Sequence, residues 1–185
     1  MAGLIDMIVN NNDITKTIAK QVGINVDDAG SIIGQLAPIL MGGAKSNLES
    51  EKDSSGLIKH IESSNYAEMF DKPETAVKKG DFTNMGNDIL AELTGSKENS
   101  REVAKHVEQE TGFSASIIKS ILPMLAPMII GALTKRSAPI QSNNQLNPNS
   151  SGGGIEDMLR NLIDQDHDGS IIDDVMGMAT KFIFK

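Results

Sequence analysis

An internal repeat constrains this fold more than any other feature. At an offset of 89 residues, Gly23–Gly43 lies over Gly112–Ala132. Seven of the 21 aligned positions are identical: Gly23/Gly112, Ser31/Ser120, Ile32/Ile121, Leu36/Leu125, Ala37/Ala126, Pro38/Pro127 and Gly42/Gly131. Chance supplies about one or two. The shared pattern reads as helix, glycine, helix. Gly23 and Gly112 suit the left-handed position after a helix. Ile24 and Phe113 are placed to staple the next helix, and Asn25 and Ser114 to cap it. Leu-Ala-Pro lies inside each following helix, where proline removes a backbone hydrogen bond and bends the axis. Two bent, apolar helices in matching contexts predict a pseudo-symmetric pair at the centre of a core. The alternative is two unrelated helix–turn–helix units of similar composition.

The fold class expected is all-α: a helical bundle built from two pseudo-repeated helix-Gly-helix units, plus a C-terminal helix-loop-helix tail. The composition agrees. Hydrophobic residues make up 39% of the 185, but aromatics only 3%, with no Trp. Such an aliphatic, Met-containing core suits packed helices better than strands. Shorter helices are expected over Gly3–Val9, Ile14–Val22 (capped by Asp13), Leu57–Ile61, Glu74–Lys79 (with Pro73 at its first position), Met85–Leu93 and Glu102–Glu110. No stretch sustains strand alternation. Residues 1–137 thus read as the repeat domain. Residues 138–154, APIQSNNQLNPNSSGGG, read as a flexible linker. Residues 155–185 read as the tail, with one apolar face over Ile155–Ile163 and a second helix over Ile172–Phe184.

Charge and cysteine content narrow the function. Seventeen basic against 25 acidic side chains give a net charge of −8. Nucleic acid is repelled by that balance, and no basic stripe offsets it. The Lys135–Arg136 pair reads as a helix C-terminus. There is no Cys, which removes disulfides, thiolate catalysis and Cys-based metal sites. The apolar run Ile121–Leu133 is shorter than the ~20 residues a membrane span needs and contains Pro123 and Pro127. It reads as a buried core helix. Residues 1–10 carry Asp6 and no basic n-region, so no secretory signal is expected and the cytoplasm is the default compartment. Export by a route without a classical signal stays open.

The segments 35–43 (QLAPILMGG), 86–90 (GNDIL), 122–133 (LPMLAPMIIGAL) and 168–178 (DGSIIDDVMGM), with the Gly/Ser/Asn linker, resemble a bacterial family of domains of unknown function, DUF937. The resemblance runs over nearly the whole chain. It implies a helical bacterial protein and no known activity. The family's tails often read Asp-Gly-Asp-Gly, whereas this chain has Asp166-His167-Asp168-Gly169.

One motif carries chemistry. With Asp164 at loop position 1, Asp166 is position 3, Asp168 position 5, Gly169 position 6 and Ser170 position 7, the first half of an EF-hand loop. Calcium takes several hard oxygens at about 2.3–2.6 Å. Acids at every second residue around a glycine turn can supply them. Position 12, normally a bidentate acid, is Val175. Asp173 or Asp174 closes the site if the loop is one residue shorter. The expected ligands are therefore Asp164, Asp166, Asp168, Ser170, Asp173 and Asp174, and the expected cofactor is Ca2+. In the alternative reading, Ser170 caps the last helix with Asp173 at its third position, and Asp164–Gly169 is a solvated turn.

His60, His106 and His167 lie far apart in sequence, and His106 and Glu110 share only a helix face. No nucleophile elbow, phosphate loop or dinucleotide fingerprint is present. The leading expectation is a non-enzymatic structural or interaction protein with a calcium-binding loop, assembling as a homo-oligomer through its tail. A calcium sensor whose tail rearranges, and an enzyme with a cleft between the repeats, are the alternatives.

Overall fold

The structure is a computed structural model that describes residues 3–49 and 54–143. Among the described residues it is all helical, in the order α1 (Leu4–Val9), α2 (Asn12–Val22), α3 (Val26–Glu49), α4 (Ser54–Glu62), α5 (Ser64–Asp71), α6 (Pro73–Ala76), α7 (Phe82–Thr94), α8 (Lys97–Thr111) and α9 (Ala115–Asn143). Gly23 follows α2 and Gly112 follows α8 with φ of 79° and 75°. Side chains with a Cβ rarely adopt that region, so each turn requires its glycine. Ile24 and Phe113, next in sequence, pack half-buried against the core.

Caps fix where the helices start. The Asn25 side-chain oxygen accepts from Asp28 N–H at 2.7 Å and opens α3. Glu108 of α8 reaches over the turn and accepts from Ala115 N–H at 2.9 Å, so the α9 start is held by the helix before it. The α2 cap is Asn11 rather than Asp13. Its Oδ1 accepts from Asp13 N–H at 3.1 Å and Ile14 N–H at 3.2 Å, and the helix begins two residues earlier than the apolar periodicity indicates. Asn11→Ala removes this shared acceptor and leaves both N–H groups at the helix start unsatisfied. It is expected to cost about 1 kcal/mol in thermal unfolding.

Helix α9 is the core element. It packs chiefly on α5, α7 and α8 and also meets α1, α2, α3 and α4. Ile118, Ile121, Leu125, Ile129, Ile130 and Leu133 are completely buried. Ala115–Ser137 is long and apolar enough to cross a membrane, yet 78% of its most apolar window is buried inside the bundle, as in a core helix. Thr134 is one of its few buried polar groups. Its hydroxyl lies 2.9 Å from the Ile130 carbonyl of its own helix and 2.9 Å from the Ile61 carbonyl near the end of α4.

Backbone meets backbone at three glycines. A Cβ on Gly86 of α7 would stand 1.9 Å from the Pro123 carbonyl oxygen of α9. Pro127 has no N–H to give that carbonyl four residues back, so this proline frees the oxygen on which α7 packs. Gly43 of α3 approaches the Leu93 carbonyl of α7 in the same way, with a Cβ placed at 1.8 Å. Gly131 of α9 approaches Tyr66 O of α5, with a Cβ placed at 2.2 Å. Only a residue without a side chain permits these approaches.

Several local expectations are corrected. The segment 64–71, where no helix is expected, forms α5 and buries Tyr66, Met69 and Phe70, spaced i, i+3, i+4. The helix expected over Glu74–Lys79 stops at Ala76. Lys135 and Arg136 do not end α9. Lys135 lies within it, paired with Asp71 and 5.7 Å from the centre of the Phe70 ring. The helix continues to Asn143, six residues into the segment read as a linker. Low apolar content does not stop a helix already under way, because each added residue gains a backbone bond without a new nucleation cost. The remainder of 138–154 lies outside the described residues.

Candidate functional site

All six expected calcium ligands, Asp164, Asp166, Asp168, Ser170, Asp173 and Asp174, lie outside the described residues, as does the tail 155–185 that carries them. Among the described residues no group of three or more His, Asp or Glu side chains is placed to hold a metal ion. His106 and Glu110 share a face of α8, and no hydrogen bond or ion pair joins them there.

A polar junction joins α4, α5 and α7. Tyr66 Oη lies 2.7 Å from His60 Nδ1, and the two rings meet edge to face. His60 Nε2 lies 3.5 Å from Glu92 Oε1. The amide of Asn47, from α3, donates to the Glu92 backbone carbonyl at 3.2 Å. Gly56 lets α4 come close: a Cβ there would stand 2.8 Å from Glu92 Oε1. Burial raises the Tyr66 phenol above its ordinary pKa, and the negative charges of Glu92 and Asp88 add to the shift. The phenol therefore stays protonated and is the natural donor to Nδ1. That leaves the Nε2 hydrogen facing Glu92, a tautomer inferred from the network.

This carboxylate–imidazole–phenol chain has the order of an acid–base relay, but Tyr66 is only 6% exposed. Its hydroxyl is turned to His60, and neither groove described below reaches it. The arrangement ties three helices together. The partners are six and 32 residues from His60, across helix breaks that no single-helix periodicity spans, so sequence spacing does not reveal the junction.

Tyr66 is the only tyrosine, and there is no Trp, so tyrosinate absorbance reports this one group. It is expected to titrate above the ordinary tyrosine range. A folded-state pKa above the unfolded one means the group stabilises the fold fully below the unfolded value of about 10 and loses that contribution as pH rises through the folded value. Tyr66→Phe should therefore cost about 1 kcal/mol at neutral pH through the lost hydrogen bond. It should also flatten the fall in melting temperature at alkaline pH.

A shallow groove of about 430 Å3 lies between α2, α7 and α9. Gln21 and Val22 line it from α2, Thr83 and Asn87 from α7, and Lys119, Ser120, Pro123 and Met124 from α9. Pro123 denies the Lys119 carbonyl its usual donor. A second recess, at Glu68, Met69, Lys72, Thr75, Ala76 and Lys79, holds only about 30 Å3, roughly one water's share of liquid volume.

A family model described as a bacterial protein of unknown function (DUF937) matches residues 6–136. No curated protein and no solved structure matches the chain.

Proposed function

Because the chain belongs to the bacterial DUF937 family, which carries no known activity, we propose from its own residues that it is a non-enzymatic structural or interaction protein with a calcium-binding loop at Asp164–Asp174. The observation that carries this reading is the acid spacing. Asp164, Asp166 and Asp168 fall at every second residue and Gly169 follows. Three carboxylates so close repel one another unless a cation screens them. Calcium is the cation that hard, closely spaced oxygens suit best. Asp173 or Asp174 supplies the closing carboxylate, and Ser170 a backbone carbonyl at position 7.

In this reading residues 1–137 form a rigid platform built from two related halves, α2–Gly23–α3 and α8–Gly112–α9. The left-handed glycines between each pair, the caps at Asn25 and Ser114, and the internal prolines Pro38 and Pro127 support the relationship. The family match over 6–136 supports treating this region as a unit separate from the tail. The tail then acts as an assembly element clamped by the ion. Hydrogen exchange on the intact protein tests this. Calcium should slow exchange across 155–185 in the wild type and leave Asp166→Ala unchanged. Equal exchange with and without calcium in the wild type rejects the clamp.

A further inference from the structure

Two buried acceptor oxygens where α3, α4 and α7 meet have no hydrogen-bond partner. They are Glu92 Oε2 and Asn47 Oδ1. Buried polar atoms are rarely left so, and a bound ion is one thing that satisfies them. Both are acceptors, so what they lack is a donor or a positive charge. The Asn47 oxygen belongs to the amide that donates to the Glu92 carbonyl at 3.2 Å, so both oxygens sit at the same residue of α7. His60 Nε2 faces the other carboxylate oxygen, Oε1, at 3.5 Å. An ordinary N–H···O bond is shorter, about 2.7–3.2 Å. A tetrahedral zinc ion with nitrogen and oxygen ligands at about 2.1 Å holds them about 3.4 Å apart. Gly56 keeps space beside the carboxylate: a Cβ there would stand 2.8 Å from Oε1 and 3.3 Å from Oε2. The His60 and Glu92 side chains are 27% and 30% exposed, so solvent can deliver an ion to the pair.

We propose that this junction binds a divalent cation of the zinc class through His60 Nε2 and the Glu92 carboxylate, with Asn47 Oδ1 and water completing the coordination. Imidazole beside carboxylate suits zinc and disfavours calcium, so the site differs in chemistry from the aspartate loop. Without metal, the ring carries its hydrogen on Nε2 and accepts from Tyr66 at Nδ1. Zinc takes the Nε2 lone pair. The ring hydrogen then resides on Nδ1, so no net proton is released. Nδ1–H donates to Tyr66 Oη, and the phenol turns from donor to acceptor. Such an outer hydrogen bond is what fixes the orientation of a ligating imidazole. The ion joins α4 to α7, and the Asn47 amide extends the link to α3.

Nitrogen–proton correlation spectra of the histidine rings in the intact, isotope-labelled chain, titrated with zinc chloride, test the site. His60, assigned by its loss in His60→Ala, should pass from the Nε2–H to the Nδ1–H tautomer as zinc binds. Glu92→Gln keeps the shape of the side chain and removes its charge, and should raise the zinc Kd about tenfold or more. Gly56→Ala should do the same. Its methyl displaces only the end of the flexible Glu92 side chain, so circular dichroism and the melting temperature should hold. Tyr66→Phe leaves the ring without its outer partner and should weaken zinc about tenfold. Asp166→Ala alters the aspartate loop alone and should leave the His60 response intact, so the two readings fail separately. Zinc that leaves the His60 ring signals of the wild type in place overturns the site. So does a response of equal affinity in the wild type, Glu92→Gln and Gly56→Ala.

Discussion

Gly86→Ala is expected to destabilise the helical domain by about 3 kcal/mol, a lowering of the melting temperature by roughly 10 °C. The added methyl carbon would have to occupy a point 1.9 Å from the Pro123 carbonyl oxygen. That atom belongs to the backbone of the central helix, so no rotamer change can relieve the clash, and α7 must move off α9 as a body. Gly42→Ala is the internal control. Gly42 also lies within a helix, but a Cβ there meets nothing within 4 Å. Alanine is better than glycine in a helix interior by as much as about 1 kcal/mol, so this change should stabilise. Opposite signs for the same substitution, read by thermal or urea unfolding, separate close backbone packing from helix propensity. Equal effects would mean that α7 and α9 are not seated as described.

Calcium should stabilise the part of the chain that holds the aspartate loop by about 2.7 kcal/mol when free calcium is a hundredfold above the dissociation constant. The effect is mass action: an ion that binds only the folded loop adds its binding free energy to that unit's stability. Asp166→Ala should abolish the calcium response. In the absence of calcium it should leave the protein at least as stable as the wild type, because it removes one of three mutually repelling carboxylates. If Asp164–Gly169 is instead a solvated turn before a helix capped by Ser170, calcium changes nothing in either protein. Differential scanning calorimetry with calcium and with chelator reads all of these arms.

What was legible in the sequence follows the range of the interactions. Helical class, the long buried helix and the glycine turns at 23 and 112 are local matters of periodicity and backbone conformation, and they were readable from the sequence. The α2 start was misplaced because Asn11 and Asp13 are both good caps, and only the backbone path decides between them. Helix α5 was missed although Tyr66, Met69 and Phe70 carry its apolar face, because an eight-residue helix with polar ends gives a short signal. The Tyr66–His60–Glu92 junction was invisible, since its members become neighbours only when α4, α5 and α7 converge. The backbone seams were hidden for the same reason. Gly86 and Gly43 look like ordinary helix interruptions until the facing carbonyls of Pro123 and Leu93 are known. The aspartate loop is the reverse case: its signal is carried wholly by local spacing.

The most direct measurement of the calcium assignment is isothermal titration of calcium into the intact, chelator-treated protein beside Asp166→Ala. A saturable heat with one ion per chain in the wild type, lost in the variant, is the predicted result. No saturable heat in the wild type, or the same heat in both proteins, would contradict calcium binding at Asp164–Asp174.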